Sequence, residues 1–126
     1  ACQASRGLVF VPALAGLASP HWDKRARAAW FGLDLATTRS DLVQAIFEGI
    51  AFRTAEVLDA MATRLPLSPV IPVDGGMSAN PWFTQFLCDA LGRAVRVSDE
   101  AELTARGCAE LAAHGAGLPL PSARGG

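Results

Sequence analysis

An α/β domain is what this sequence predicts, and three observations predict it. Short apolar runs rich in β-formers open the chain, from Val70 onward such runs alternate with segments of helical periodicity, and one of them delivers Asp74-Gly75-Gly76 directly ahead of a marked helix start. Alternation of this kind favours a layered α/β arrangement with a largely parallel sheet. No internal repeat or low-complexity block interrupts it.

The elements follow in order. Leu8-Val-Phe-Val-Pro-Ala-Leu14 reads as a buried strand ending near Pro12, and a Gly/Ser/Pro-containing loop runs from Gly16 to about Arg27. Ala28 to Leu33 is a second apolar run of strand character. A helix opens at Thr38 to Ser40, because Thr38-x-x-Asp41 has the spacing of a capping box. Leu42, Ala45, Ile46, Gly49 and Ile50 then recur at helical spacing, Val57, Leu58 and Met61 continue the stripe, and Pro66 prevents further extension. So wide an apolar face predicts packing against a sheet, with Glu48 and Glu56 facing solvent or pairing along the helix.

Val70 to Val73 is a third strand, kept short or near an edge by Pro72. Asn80 stands at a helix cap with Pro81 in the first turn, where a missing N–H is harmless. Phe83, Phe86, Leu87, Ala90 and Leu91 carry the apolar face, and Gly92 ends the helix. Ala94 to Val97 is a fourth strand, Thr104 to His114 a last helix, and Pro119 to Gly126 a frayed tail. Residues 1–118 are thus expected to form one domain.

Composition narrows the function classes. The 126 residues are 51% hydrophobic, enough for a packed core, and a formal net charge of -1 gives no electrostatic case for nucleic acid or an anionic membrane as partner. Lys24, Arg25 and Arg27 form a small basic group that reads as solvated loop. Cys2, Cys88 and Cys108 are far apart and odd in number, which argues against a disulfide framework or a zinc site. Arg6 followed by the run 7–18 has the outline of a signal peptide, but Pro12 breaks it, so a cytoplasmic location is expected. A chain that opens on Ala1 rather than Met fits a gene fragment or an excised domain.

Chemistry concentrates in Val73-Asp74-Gly75-Gly76-Met77-Ser78-Ala79-Asn80-Pro81. Glycines let a backbone turn tightly and let a ligand approach without a Cβ in the way, and a helix start favours polar or anionic groups. A plain tight turn has the same pattern, and Asn80 serves equally as helix cap or ligand contact. Other constellations fail. There is no GxxxxGK[ST] or GxGxxG motif, and Asn80 stands where GxSxG needs its last glycine. A hydrolase pairing of Ser78 with His21 or His114 ranks far behind. Asp74, Asp89, Asp99, Glu100 and Glu102 read as surface charges rather than metal ligands.

Three blocks together carry a resemblance. Phe10-Val-Pro-Ala-Leu-Ala-Gly-Leu-Ala-Ser-Pro-His-Trp22, Ala28-Ala-Trp-Phe-Gly-Leu33 with Asp41-Leu-Val-Gln-Ala-Ile-Phe-Glu48, and Val73 to Asn80 resemble, in order and spacing, the C-terminal domain of the FGGY carbohydrate kinases. The likeness covers about residues 7 to 118. The first block and Glu48 to Leu58 are most similar to the glycerol kinase branch, with xylulokinase-like and other sugar kinases as alternatives.

The resemblance implies an actin-like (ribonuclease H-like) α/β domain, the C-terminal half of a two-domain kinase. It implies ATP with Mg2+ as cofactors and glycerol or a sugar bound through an absent N-terminal domain. Gly76 and Asn80 would contact the adenosine, and Gly75 would shape the turn. No residue here matches the family's catalytic base, so no catalytic or metal-binding residue is assigned and the chain alone is expected to be inactive. A noncatalytic nucleotide-binding module and an inactive fragment remain the alternatives, and association with a second copy is left open. The chain departs from the family at His21, where an aromatic ring is usual, and at Arg106, within Thr104-Ala-Arg-Gly-Cys-Ala109. Arg106 either snorkels to the surface or marks a degenerate copy.

Overall fold

Thr38 and Asp41 fix the start of the longest element. In the computed structural model, which describes residues 7–98 and 103–118, Asp41 accepts the Thr38 backbone N–H at 2.8 Å and Thr38 Oγ1 accepts the Asp41 N–H at 3.3 Å. This reciprocal box satisfies two otherwise orphaned donors and opens helix α1, Arg39–Ala62. Two strands precede it, β1 (Val9–Val11) and β2 (Ala29–Phe31). After it come β3 (Val70–Val73), a 3-10 turn (Gly76–Ala79), helix α2 (Pro81–Leu91), β4 (Ala94–Val97) and helix α3 (Leu103–Gly115).

Two kinds of strand pairing result. β3 and β4 are parallel, Val70 opposite Ala94 and Val73 opposite Val97, with α2 as the crossover that a parallel pair requires. β1 and β2 are antiparallel, Val9 opposite Phe31 and Val11 opposite Ala29. The largely parallel sheet expected from the alternation therefore holds only for β3 and β4 among the described residues. No helix lies between β1 and β2, so the chain returns by a loop, and a loop return produces an antiparallel pair. Pro72 is tolerated because, among the described residues, β3 is bonded to a strand on one side only.

The core lies between α1 and α2. Ala51, Phe83, Phe86 and Leu87 are buried together, with Phe47, Ile50, Val73 and Val95 packed around them. Trp82 stacks on Phe86 with centroids 5.2 Å apart, and Phe52 meets Phe86 edge-on at 5.4 Å. The α2 stripe is the one its periodicity predicts. α1 packs on α2 and on β1 rather than on a broad sheet. Where α1 meets β1, Gly49 is required by close approach, since a Cβ there would stand 2.4 Å from the Phe10 carbonyl oxygen.

That contact corrects one expectation. Glu48 does not face solvent; it is 5% exposed. β1 covers the part of α1 that local pattern alone assigns to water, and Glu48 sits beneath it. The pairing alternative stands, because Gln44 Nε2 donates to Glu48 Oε1 at 2.8 Å one turn earlier. Glu56 is half-exposed and binds Arg53 and His21, while Arg53 also donates to the Ala18 carbonyl at 3.2 Å and to that of Ser19. These bonds fasten the loop after β1 to α1. Arg106 is half-exposed and donates from Nε to Glu110 Oε1 at 2.8 Å along α3. Cys88 and Cys108 are free thiols, whereas Cys2, Asp99, Glu100, Glu102 and the tail 119–126 lie outside the described residues. Among the described residues no helix is long and apolar enough to cross a membrane.

Candidate functional site

β3 delivers the chain at Val73, and Gly75 turns it. Gly75 has φ 92 and ψ 168, a conformation essentially restricted to glycine. Its carbonyl accepts two bonds from Ser78, one from the backbone N–H at 3.0 Å and one from Oγ at 2.7 Å. The Ser78 hydroxyl is thereby committed to the turn rather than to a histidine, and the hydrolase arrangement does not form. His21 is bonded to Glu56 instead. The Asn80 N–H donates to the Met77 carbonyl at 3.0 Å, closing the 3-10 turn.

Gly75 and Gly76 differ in why they are glycine. Gly75 is demanded by its φ. Gly76 has no positive φ, and a Cβ built on it would meet nothing within 4 Å. Neither backbone conformation nor packing among the described residues requires glycine there. The turn presents an open face that a side chain would obstruct.

Asn80 is half-buried, and its Oδ1 accepts the backbone N–H groups of Trp82 at 3.0 Å and Phe83 at 3.3 Å. The cap role is thus filled by the oxygen. The same side chain carries an NH2 group, two donors suited to an acceptor on a ligand. Helix and ligand readings of Asn80 are compatible, because they use opposite ends of one amide.

Asn80 also borders a groove of about 370 Å³, within the size range of small-molecule sites. Trp82 lines it from α2, and Arg39, Gln44 and Phe47 line it from α1. The Phe47 and Trp82 rings lie 6.2 Å apart. Aromatic walls with amide and guanidinium donors suit a flat, polar-edged ligand. Sequence reasoning located Gly75, Gly76 and Asn80 on one turn but missed Arg39, Gln44, Phe47 and Trp82. Both helix starts are legible from their caps; that the two starts lie side by side is a tertiary fact.

The described residues contain no group of three or more His, Cys, Asp or Glu that could hold an ion.

Comparison with known proteins bears on the family and the fold. Residues 1–116 match the model of the FGGY family of carbohydrate kinases, C-terminal domain. The chain is 44% identical over 117 residues to a glycerol kinase of Rippkaea orientalis, covering 92% of this chain and 23% of that protein. It is 43% identical over 113 residues to a glycerol kinase of Rhodospirillum rubrum, covering 89% and 23%. Among solved structures, Plasmodium falciparum glycerol kinase with ADP superposes with a TM-score of 0.76 at 38% identity, covering 90% of this chain and 23% of that one. A xyloylose kinase from Brucella ovis gives 0.75 at 27% identity, covering 84% and 23%. The chain therefore spans about a quarter of the length of the relatives it matches. The mixed α/β arrangement is consistent with the actin-like fold. With three ordered sequence blocks, a β3–glycine turn–α2 unit and a family match over nearly its whole length, the chain belongs to the FGGY family of carbohydrate kinases, as part of its C-terminal domain.

Proposed function

We propose that this chain is the nucleotide-holding part of an ATP-dependent kinase whose acceptor is glycerol. The observation that carries the reading is Gly76, a glycine that neither conformation nor packing among the described residues explains, on an open turn beside Asn80. An approaching nucleotide explains it: the adenosine lies against Gly76, takes a hydrogen bond from the Asn80 NH2 group, and extends along the groove between Trp82 and Arg39. The solved relative carrying ADP supports nucleotide binding, and the glycerol kinases at 43% and 44% identity favour glycerol over xylulose as acceptor.

Phosphoryl transfer rests on positioning donor and acceptor and on neutralising charge as it moves. The described residues provide the donor side. Among the described residues no group of three or more His, Cys, Asp or Glu stands together, so Mg2+ would arrive on the triphosphate and be held mainly by its phosphates and by waters. The acceptor site and the catalytic base belong to the remainder of the enzyme, which acts in the cytoplasm.

Calorimetric titration of the purified chain with ADP tests the reading. Binding that Gly76→Val abolishes, with the fold unchanged by circular dichroism, supports it; equal binding by both proteins sinks it. ATP-dependent phosphorylation of glycerol by this chain alone would overturn the division of labour.

A further inference from the structure

The groove beside Asn80 is furnished mainly with hydrogen-bond donors. Asn80 Oδ1 accepts the backbone N–H groups of Trp82 at 3.0 Å and Phe83 at 3.3 Å. Both partners are donors, so the amide oxygen faces the helix and the NH2 group is the end turned away from it. Arg39 lines the groove from α1 with an exposed side chain that can only donate. Trp82 offers an indole N–H and no acceptor. Gln44 is held along α1 by the bond from its Nε2 to buried Glu48 at 2.8 Å. The Ser40 hydroxyl turns to give or accept alike. Among the described residues no carboxylate lines the groove. On the turn itself, the Gly75 carbonyl is occupied by two bonds from Ser78.

This inventory bears on which base the groove selects. A purine presents acceptors at N3 and N7 whether its six-position carries an amine or an oxygen. The adenine amine is a donor, and the groove commits no acceptor to it. An oxygen in its place is an acceptor, which a guanidinium favours, as in the pairing of arginine with guanine. Phe47 and Trp82, with ring centroids 6.2 Å apart, add flat apolar surface that rewards a two-ring base over a pyrimidine. We infer that the groove selects purine nucleotides rather than adenine in particular, and that Arg39 is the residue admitting a 6-oxopurine. The inference rests on the nucleotide reading above and assigns that site its base specificity.

Calorimetric titration of the purified chain with ADP, inosine diphosphate and UDP tests it. Inosine diphosphate carries an oxygen where ADP carries the six-position amine. It is expected to bind within about fivefold of ADP, and UDP about tenfold or more weakly. Arg39→Glu replaces the donors with an acceptor that favours the amine and repels the oxygen. An acidic residue in the first turn of α1 is favourable, so the variant is expected to fold. Charge reversal weakens both purine diphosphates alike, so their affinity ratio is the readout, and it should move about tenfold toward ADP. If the glutamate variant does not fold, Arg39→Gln makes the same comparison with a smaller shift. Inosine diphosphate weaker than ADP by more than that fivefold, UDP equal to ADP, or an unchanged ratio in the folded Arg39 variant overturns the inference and leaves the nucleotide reading in place. Binding of none of the three nucleotides sinks both.

Discussion

The Cα of Gly49 faces the carbonyl of Phe10 so closely that a single methyl group there would stand 2.4 Å from the oxygen. In an exposed helix interior, glycine to alanine is worth about 1 kcal/mol of added stability. Here the clash is with backbone, which cannot rotate aside, and overpacking of this kind costs about 1–3 kcal/mol. Gly49→Ala is expected to lower the urea midpoint. A raised midpoint would mean that β1 does not press on α1 as described.

The two glycines of the turn should separate under substitution. Gly75→Ala forces an L-residue into a conformation costing about 1–3 kcal/mol and should lower stability. Gly76→Ala meets open space and should stay within about 0.5 kcal/mol of wild type, as surface substitutions do. Denaturation of the two variants side by side checks this; equal losses would show that Gly76 too serves the turn.

Asn80 allows the cap to be tested apart from the ligand contact. Asn80→Asp keeps an acceptor for the Trp82 and Phe83 N–H groups and puts negative charge at a helix start, so stability should hold or rise slightly. It also removes the NH2 donor, so ADP affinity should fall. Asn80→Ala loses both, at about 1 kcal/mol in stability. Undiminished ADP binding by folded Asn80→Asp would confine Asn80 to its structural role.

Acid should loosen the loop after β1. The hydrogen bond from His21, with Arg53 beside it, holds the Glu56 carboxyl below its usual value of 4.5. A depressed folded value means the contribution is complete above the ordinary carboxylate range and is lost as pH falls through and below it. Exchange protection around Ala18 and Ser19, whose carbonyls Arg53 holds, should therefore drop below about pH 4.5. In Glu56→Gln that acid step should vanish, and an identical step in the variant would assign it to other groups.

Local chemistry explains which of these features were readable in advance. Thr38 with Asp41, and Asn80 with Pro81, announce helix starts because capping is settled within four residues. The α2 stripe predicted its own burial, since one neighbour covers one face. Glu48 could not be placed that way. Whether a carboxylate on α1 meets water depends on β1, which is distant in sequence.

By itself, the sequence determined the α/β class, the helix boundaries, the family and the positions of Gly75, Gly76 and Asn80 on one strand-to-helix turn. All of these rest on short-range pattern: capping, periodicity and ordered motifs. Only the tertiary structure decided that β1 and β2 pair antiparallel, that Glu48 lies beneath β1, and that Arg39 and Phe47 stand across a groove from Trp82. Contacts between elements depend on where the chain returns in space, which short-range pattern does not carry.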